Sequence, residues 1–117
     1  MRISELSART SVSQRLLRYY EEQGLLTPLR EPSGYRNYSD TDVERVHRIR
    51  ALLSAGLPTA TIARVLPCTI DTGTGLAAAC PDLLADLRRE RARISAAIDD
   101  LSHARHALDS IIAATDP

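Results

Sequence analysis

With 117 residues the chain can bury one modest core, and an ordinary small-molecule-binding domain does not fit beside a second folded module. Hydrophobic residues make up 44% of the chain, yet it has no Phe and no Trp, so we expect an aliphatic core that a second subunit completes. Arg and Lys together number 15 and so do Asp and Glu, a balance that by itself argues against a nucleic-acid binder.

The charges are distributed unevenly along the chain. Residues 1–50 contain nine Arg against seven acidic residues, whereas residues 51–117 contain six Arg against eight. Every cation is Arg, which favours forked contacts to phosphate and guanine edges, although a GC-rich coding bias produces the same usage. No apolar run approaches the roughly 18 residues of a membrane span, and the N-terminus is amphipathic rather than signal-like. We therefore expect a soluble cytoplasmic protein with no membrane association.

The first two predicted helices form a helix-turn-helix. Ser4 is the expected N-cap of a first short helix, and Ser13 caps a second helix over residues 14–23 that stops at Gly24. The apolar residues of both helices recur at helical spacing, and three or four residues separate the two. We expect the core of this module to contain Leu6, Val12, Leu16, Tyr20 and Val46.

A hairpin and two further helices are predicted next. Pro32-Ser33-Gly34 separates two short extended stretches, a pattern typical of a β-hairpin, here the wing of a winged helix. A third helix begins after Ser39 and Asp40 and runs to about Ala55, and a short fourth helix spans about Thr61 to Leu66.

The last predicted helix is long and amphipathic. Residues 67–80 lack a periodic pattern and are predicted as an ordered connecting loop, after which Pro81 opens a helix to about Ala114 without internal Gly or Pro. Its apolar positions alternate steps of three and four residues: Leu84, Leu87, Ile94, Ile98, Leu101, Leu108 and Ile112, with Arg91 and Arg105 completing the series. A solitary helix would leave this stripe in water, so we expect a coiled coil with a second copy.

Four short motifs occur in order and without gaps: Arg18-Tyr19-Tyr20-Glu21, Gly24-Leu25-Leu26, Gly34-Tyr35-Arg36-Asn37-Tyr38 and Asp42-Val43-Glu44-Arg45-Val46. Over about residues 1–66 they resemble the N-terminal signature of the MerR family of transcription regulators. The long helix is similar, by pattern, to the antiparallel dimerisation helix of that family. The resemblance implies a mainly α fold with a winged helix-turn-helix DNA-binding domain over 1–66, a connecting loop over 67–80 and a dimerisation helix over 81–114.

The resemblance also implies which residues contact DNA. The second helix would present Arg15, Arg18 and Tyr19 to the major groove and its flanking phosphates. The wing would grip the backbone with Arg30, Tyr35, Arg36 and Tyr38. All four aromatic residues of the chain fall in this stretch, and a phenol can donate to phosphate while its ring packs on the domain. By their pattern alone, Tyr20 would be core, Tyr35 could be wing packing, and Arg18 and Arg36 could be solvated.

The mechanism implied by the family is distortion of promoter DNA. A homodimer would bind a pseudo-palindromic promoter and bend and untwist an overlong spacer, which aligns the elements that RNA polymerase reads. Simple steric repression is the alternative. The inducer, the operator and the target genes do not follow from the sequence.

Two cysteines, Cys68 and Cys80, flank the predicted loop. Cys80 resembles the cysteine that metal-sensing relatives place near the start of the dimerisation helix, but no cysteine follows it, so we do not expect the usual metal loop. Its N-cap position favours a thiolate, and the loop could fold back to bring both sulfurs within disulfide reach. Three readings stay open: two inert residues, a redox or electrophile-sensing pair, and a soft metal site.

Other function classes fit the sequence less well. It has no phosphate-binding Gly loop, no His-Glu-x-x-His motif and no plausible nucleophile with a base, so we do not expect an enzyme. An excisionase-like architectural protein would share the winged helix but would not need the long helix. A coiled-coil adaptor that binds protein would not need the clustered Arg and Tyr.

Overall fold

The computed structural model describes residues 1–116 and divides into two compact units, Met1–Ala79 and the segment from Cys80 onward. The fold is mainly α, as predicted. Its elements in chain order are α1 (Ile3–Thr10), α2 (Gln14–Glu22), β1 (Leu29–Arg30), β2 (Arg36–Asn37), α3 (Asp40–Ser54), α4 (Thr59–Val65), a 3-10 turn (Leu66–Cys68), β3 (Thr69–Asp71), β4 (Leu76–Ala78) and α5 (Pro81–Thr115). Within residues 1–116, no helix combines the length and the hydropathy that a membrane span requires.

The turn between α1 and α2 is built by short polar side chains. Ser11 adopts the left-handed conformation with φ of 59°, and the Ser7 hydroxyl donates to the Val12 carbonyl at 2.6 Å. Ser13 caps α2, as predicted, because its Oγ accepts from the Leu16 amide at 3.1 Å. These bonds fix the angle at which α2 leaves α1.

The predicted N-cap of the first helix is wrong. The amides of Glu5 and Leu6 both donate to the Arg2 carbonyl at 3.1 Å, so Arg2 is the cap residue and Ser4 lies inside the first turn. The fourth helix also begins earlier than predicted, at Thr59, directly after Pro58. Both helices begin N-terminal to the position that the sequence pattern had favoured.

The core of the first unit is aliphatic around one buried tyrosine. Leu6, Tyr20 and Val46 are fully buried and Val12 nearly so, which confirms four of the five predicted core residues. The fifth, Leu16, is wrong, because it is only half-buried and Leu17 is fully buried in its place. At about 100° per residue Leu16 and Leu17 lie on either side of Tyr20 around the helix axis, so the helical period admits both residues and tertiary packing buries Leu17.

The predicted connecting loop contains regular structure. Strands β3 and β4 pair antiparallel, with Thr69 opposite Ala78 and Asp71 opposite Leu76. Gly73 and Gly75 both have positive φ, a conformation that lets the chain reverse between such short strands. Three-residue strands show too little alternation to be read from sequence, so the Thr-Gly-Thr-Gly run was the available signal.

The second unit is the long helix that the sequence predicts. Pro81 occupies the first turn of α5, after Cys80 as N-cap, and the helix continues to Thr115. Six of the seven predicted stripe residues are exposed: Leu84, Ile94, Ile98, Leu101, Leu108 and Ile112. Pairs three residues apart, Asp86 with Arg89 and Glu90 with Arg93, lie along the same helix.

Candidate nucleic-acid interface

Helix α2 presents one basic face to solvent. Arg15, Arg18 and Tyr19 stand at positions i, i+3 and i+4, and all three side chains are exposed, Tyr19 by 41%. The opposite face is anchored in the core by Leu17 and Tyr20, which are fully buried. The predicted recognition residues therefore share one open surface on a helix whose rotation is fixed by its core side chains.

The wing is a short hairpin that protrudes beside this face. Strands β1 and β2 pair Arg30 with Arg36, and the Glu31 amide donates to the Tyr35 carbonyl at 2.8 Å. The turn closes when the Gly34 amide donates to the Glu31 carbonyl at 2.8 Å. Gly34 has φ of 87°, where a side chain would be strained, so glycine is required at this corner. Tyr35, 62% exposed, and Arg30 remain open to solvent.

One carboxylate ties the wing to α2. Glu21, near the end of α2, lies with its oxygens 2.8 and 3.0 Å from Nε of Arg36, and 3.8 Å from a terminal nitrogen of Arg30. The Glu21 side chain is 19% exposed and that of Arg36 39%, so the carboxylate is largely shielded from water while the guanidinium stays partly open. The hydrogen bond and charge of Glu21 raise the pKa of Arg36 above its ordinary value. Both wing arginines are thereby held at a fixed position relative to the exposed face of α2.

The structure corrects the expectation for Tyr38. Its side chain is 2% exposed and its hydroxyl is buried without a hydrogen-bond partner in the described part of the chain. Burial, followed by the charge of Glu21, raises the pKa of Tyr38. The backbone explains this placement, because the Tyr38 amide donates to the Met1 carbonyl at 2.8 Å and the Met1 ammonium donates to the Tyr38 carbonyl at 2.6 Å. The Tyr38 side chain is thus buried and does not present its phenol to a ligand.

Sequence reasoning did not single out Arg2. Its guanidinium lies 4.5 Å from the centre of the Tyr35 ring and 3.2 Å from a carboxylate oxygen of Glu31. Arg2 precedes α1 and belongs to neither the helix-turn-helix nor the wing, so no periodic pattern marked it. The one available signal was an arginine at the N-terminus of a chain whose N-terminal half carries the excess of positive charge.

Two arginines of α3 have structural partners. Arg45 donates through Nε to the Leu25 carbonyl at 2.6 Å, and Arg48 lies 3.4 Å from a carboxylate oxygen of Asp71. Arg45 thus holds the segment that follows α2, and Arg48 ties α3 to β3.

Cys68 and Cys80 flank the open end of the β3–β4 hairpin, opposite the turn in which the Thr72 amide donates to the Gly75 carbonyl. The Ala79 amide donates to the Cys68 carbonyl at 2.6 Å, which extends the ladder by one pair beyond Thr69 and Ala78. Cys68 ends the 3-10 turn and is half-buried, and Cys80 directly follows Ala79 in the chain. Among residues 1–116, no three His, Cys, Asp or Glu side chains come together as they would around a metal ion.

Comparisons with known proteins agree with this geometry. The family model described as MerR HTH family regulatory protein matches residues 1–68. A heavy metal-dependent transcription regulator 2 of Rhizobium meliloti is 33% identical over 88% of this chain and 73% of its own length. A probable heavy metal-dependent transcriptional regulator of Haemophilus influenzae is 42% identical over 56% of this chain, and the match spans about half, 52%, of that relative.

A solved structure has a similar fold. HiNmlR, described as a MerR family regulator lacking the sensor domain and bound to promoter DNA, superposes with a TM-score of 0.58 at 20% identity. The match covers 96% of this chain and 86% of that one. With the family model spanning the helix-turn-helix and the wing, this chain belongs to the MerR family of helix-turn-helix regulatory proteins.

Proposed function

We propose that this chain regulates transcription as a homodimer that binds double-stranded promoter DNA. The observation that carries the proposal is the continuous basic surface formed by the exposed face of α2 and by the wing that Glu21 fixes beside it. In the proposed complex α2 enters the major groove, and the wing follows the adjacent backbone. The DNA-facing residues are Arg15, Arg18 and Tyr19 on α2 with Arg30, Tyr35 and Arg36 on the wing, and the buried Tyr38 is not among them.

The chemistry of these side chains suits both the phosphate backbone and the base edges of a DNA site. Arginine forks match phosphate oxygens and the guanine edge, and an exposed phenol donates to phosphate. Because Nε of Arg36 is held by Glu21, this guanidinium is placed before DNA arrives and loses little conformational freedom on binding. The HiNmlR structure shows a protein of this fold bound to promoter DNA.

The exposed stripe on α5 supports the homodimer. Each large apolar side chain left in water forgoes about 1.5–3 kcal/mol of burial, and six such residues of the stripe stand exposed along α5. The alternating steps of three and four residues suit packing against a second long helix, with Arg91 and Arg105 paired across the seam or extended past it. A twofold dimer reads a pseudo-palindromic site, and distortion of the promoter between its half-sites would act on RNA polymerase indirectly.

The cysteines are the proposed sensor of this regulator. The Cys68 carbonyl accepts a hydrogen bond from the amide of Ala79, the residue before Cys80, so both cysteines flank the open end of the β3–β4 hairpin. With hydrogen peroxide as oxidant, one thiolate attacks oxygen to form a sulfenic acid and releases water after protonation. The other thiol then displaces a second water and forms the disulfide. Because the relatives include heavy metal-dependent regulators, a soft metal ion is the second candidate ligand of this cysteine pair.

Arg18→Ala tests the DNA-binding role of α2. Fluorescence anisotropy with a duplex from the chain's own upstream promoter should show weaker binding, and the slope of log affinity against log salt should fall by about one for each phosphate that the variant no longer neutralises. Arg50→Ala, which removes an exposed arginine of α3, is the control and should leave the slope unchanged. Wild-type binding that is weak and insensitive to salt would contradict the proposal.

Leu101→Glu tests the dimer. Leu101 is 71% exposed near the middle of the stripe, so a charge there would be buried in the proposed seam. Sedimentation velocity should show the wild type at twice the chain mass of 12.8 kDa and the variant as a monomer. His103→Glu, at an exposed position of α5 outside the stripe, should stay dimeric. A wild-type monomer would show that the stripe has another use.

Cys80→Ser tests the sensor. After mild peroxide treatment, intact mass should show the loss of two hydrogens in the wild type, and promoter affinity or promoter distortion should change. The variant should show neither effect. Equal DNA binding by reduced and oxidised wild type would exclude a redox role. Binding of Hg²⁺ or Cu⁺ by the reduced wild type, abolished in Cys80→Ser and followed by altered promoter output, would assign the pair to a metal instead.

A further inference from the structure

A small basic cavity opens where the N-terminus, α2 and the wing meet. Its volume is about 150 Å³, the space of about five water molecules in the liquid, which is enough for one tetrahedral phosphate group. The lining residues are Arg2, Ile3, Arg18, Gly34, Tyr35 and Arg36. Three arginines from three separate segments therefore line one cavity, and no acidic side chain among the described residues lines it.

Arg2 is held in place at this cavity by three contacts. Its guanidinium stacks 4.5 Å from the centre of the Tyr35 ring, Nη2 pairs with Glu31 at 3.2 Å, and Nη1 donates to the Arg36 carbonyl at 3.4 Å. Its side chain is nevertheless 50% exposed. A guanidinium stacked on a ring keeps its edge free to donate, so Arg2 is ordered and still accessible to an anion.

The other two arginines are placed for the same ligand. Arg36 uses Nε for Glu21, at 2.8 and 3.0 Å, and the hydrogen bonds described for its side chain involve that nitrogen alone. Its terminal nitrogens thus remain available to a ligand. Arg18 is exposed on the face of α2 that we assign to DNA. Because Glu21 and Glu31 hold their arginines from outside the cavity, they order the donors without filling the space between them.

We propose that this cavity is the seat of one DNA backbone phosphate and that Arg2 completes it with Arg18 and Arg36. The proposal rests on the proposed function and deepens it, because it adds a contact from outside the helix-turn-helix and the wing. A phosphodiester carries one negative charge and presents two free oxygens, which forked arginine donors match. The seat would fix the register of α2 in the major groove without reading a base.

Arg2→Ala and Arg9→Ala form a matched pair for the test. Arg9 is an arginine of similar exposure, 44%, and it also pairs with one carboxylate, Asp40, at 2.6 Å, but it does not line the cavity. With the promoter duplex, Arg2→Ala should bind about tenfold more weakly, as expected when one charge-assisted hydrogen bond is removed, and with a smaller salt slope. Arg9→Ala should bind as the wild type does.

Single methylphosphonate substitutions in the duplex separate a phosphate contact from a structural effect. One neutralised phosphate in each half-site should weaken binding by the wild type and have a smaller effect on Arg2→Ala, in which only Arg18 and Arg36 still face that phosphate. Glu31→Gln, which loosens Arg2 but keeps its charge, should retain the methylphosphonate effect. Thermal unfolding of Arg2→Ala serves as the fold control, because non-additivity with one particular phosphate is not expected from a merely less stable wing.

The possible outcomes discriminate among three explanations. If Arg18→Ala weakens binding while Arg2→Ala behaves as Arg9→Ala, the seat is overturned and the proposed function stands. If the wild type shows no salt-dependent binding, both fall. If inorganic phosphate, at matched ionic strength, binds the wild type but not Arg2→Ala and does so without weakening the complex with the duplex, the seat belongs to the free anion and the DNA version is overturned.

Discussion

The ion pair between Glu21 and Arg36 is the interaction on which the proposed DNA-binding surface depends. A two-residue pair of strands is too short to hold its own position, so the wing needs an external support. Glu21 supplies it from α2, a helix that Leu17 and Tyr20 anchor in the core. Core packing therefore sets the rotation of α2, and the Glu21 carboxylate positions the wing relative to that helix. An arginine on either element then has a defined place relative to the other.

The second constraint is the apolar surface of α5 that this chain by itself leaves exposed. Its core has no Phe or Trp, and the apolar side chains of α5 are exposed along almost the whole helix.

The positions of the acidic residues explain how a chain with zero net charge can still present a basic surface. Glu21, Glu31 and Asp40 of the first unit position arginines rather than neutralise the open face of α2.

Most of the helical architecture could be predicted from the sequence, because Ser13, Gly24 and Pro81 mark boundaries that local chemistry fixes. Leu16 and Leu17 could not be told apart, since both fit the helical period and tertiary packing chose between them. The β3–β4 hairpin was too short to show alternation. Tyr38 was misassigned because a motif gives a residue's position and not the direction of its side chain, which the backbone pairing with Met1 decides. Arg2 lies outside every motif, and contacts with residues distant in the sequence define the position of its side chain.

Amide hydrogen exchange of the wing in Glu21→Gln tests most directly the claim that this carboxylate fixes the wing. The variant keeps the size of the side chain and removes its charge, so the Arg36 pair should weaken and the Glu31 and Gly34 amides should exchange about tenfold faster or more. Core amides of α2 should be unaffected. Glu22→Gln, the same change at the exposed neighbouring position, should match the wild type. Unchanged exchange of the wing amides in Glu21→Gln would contradict the account, because the wing would then hold its position without the ion pair.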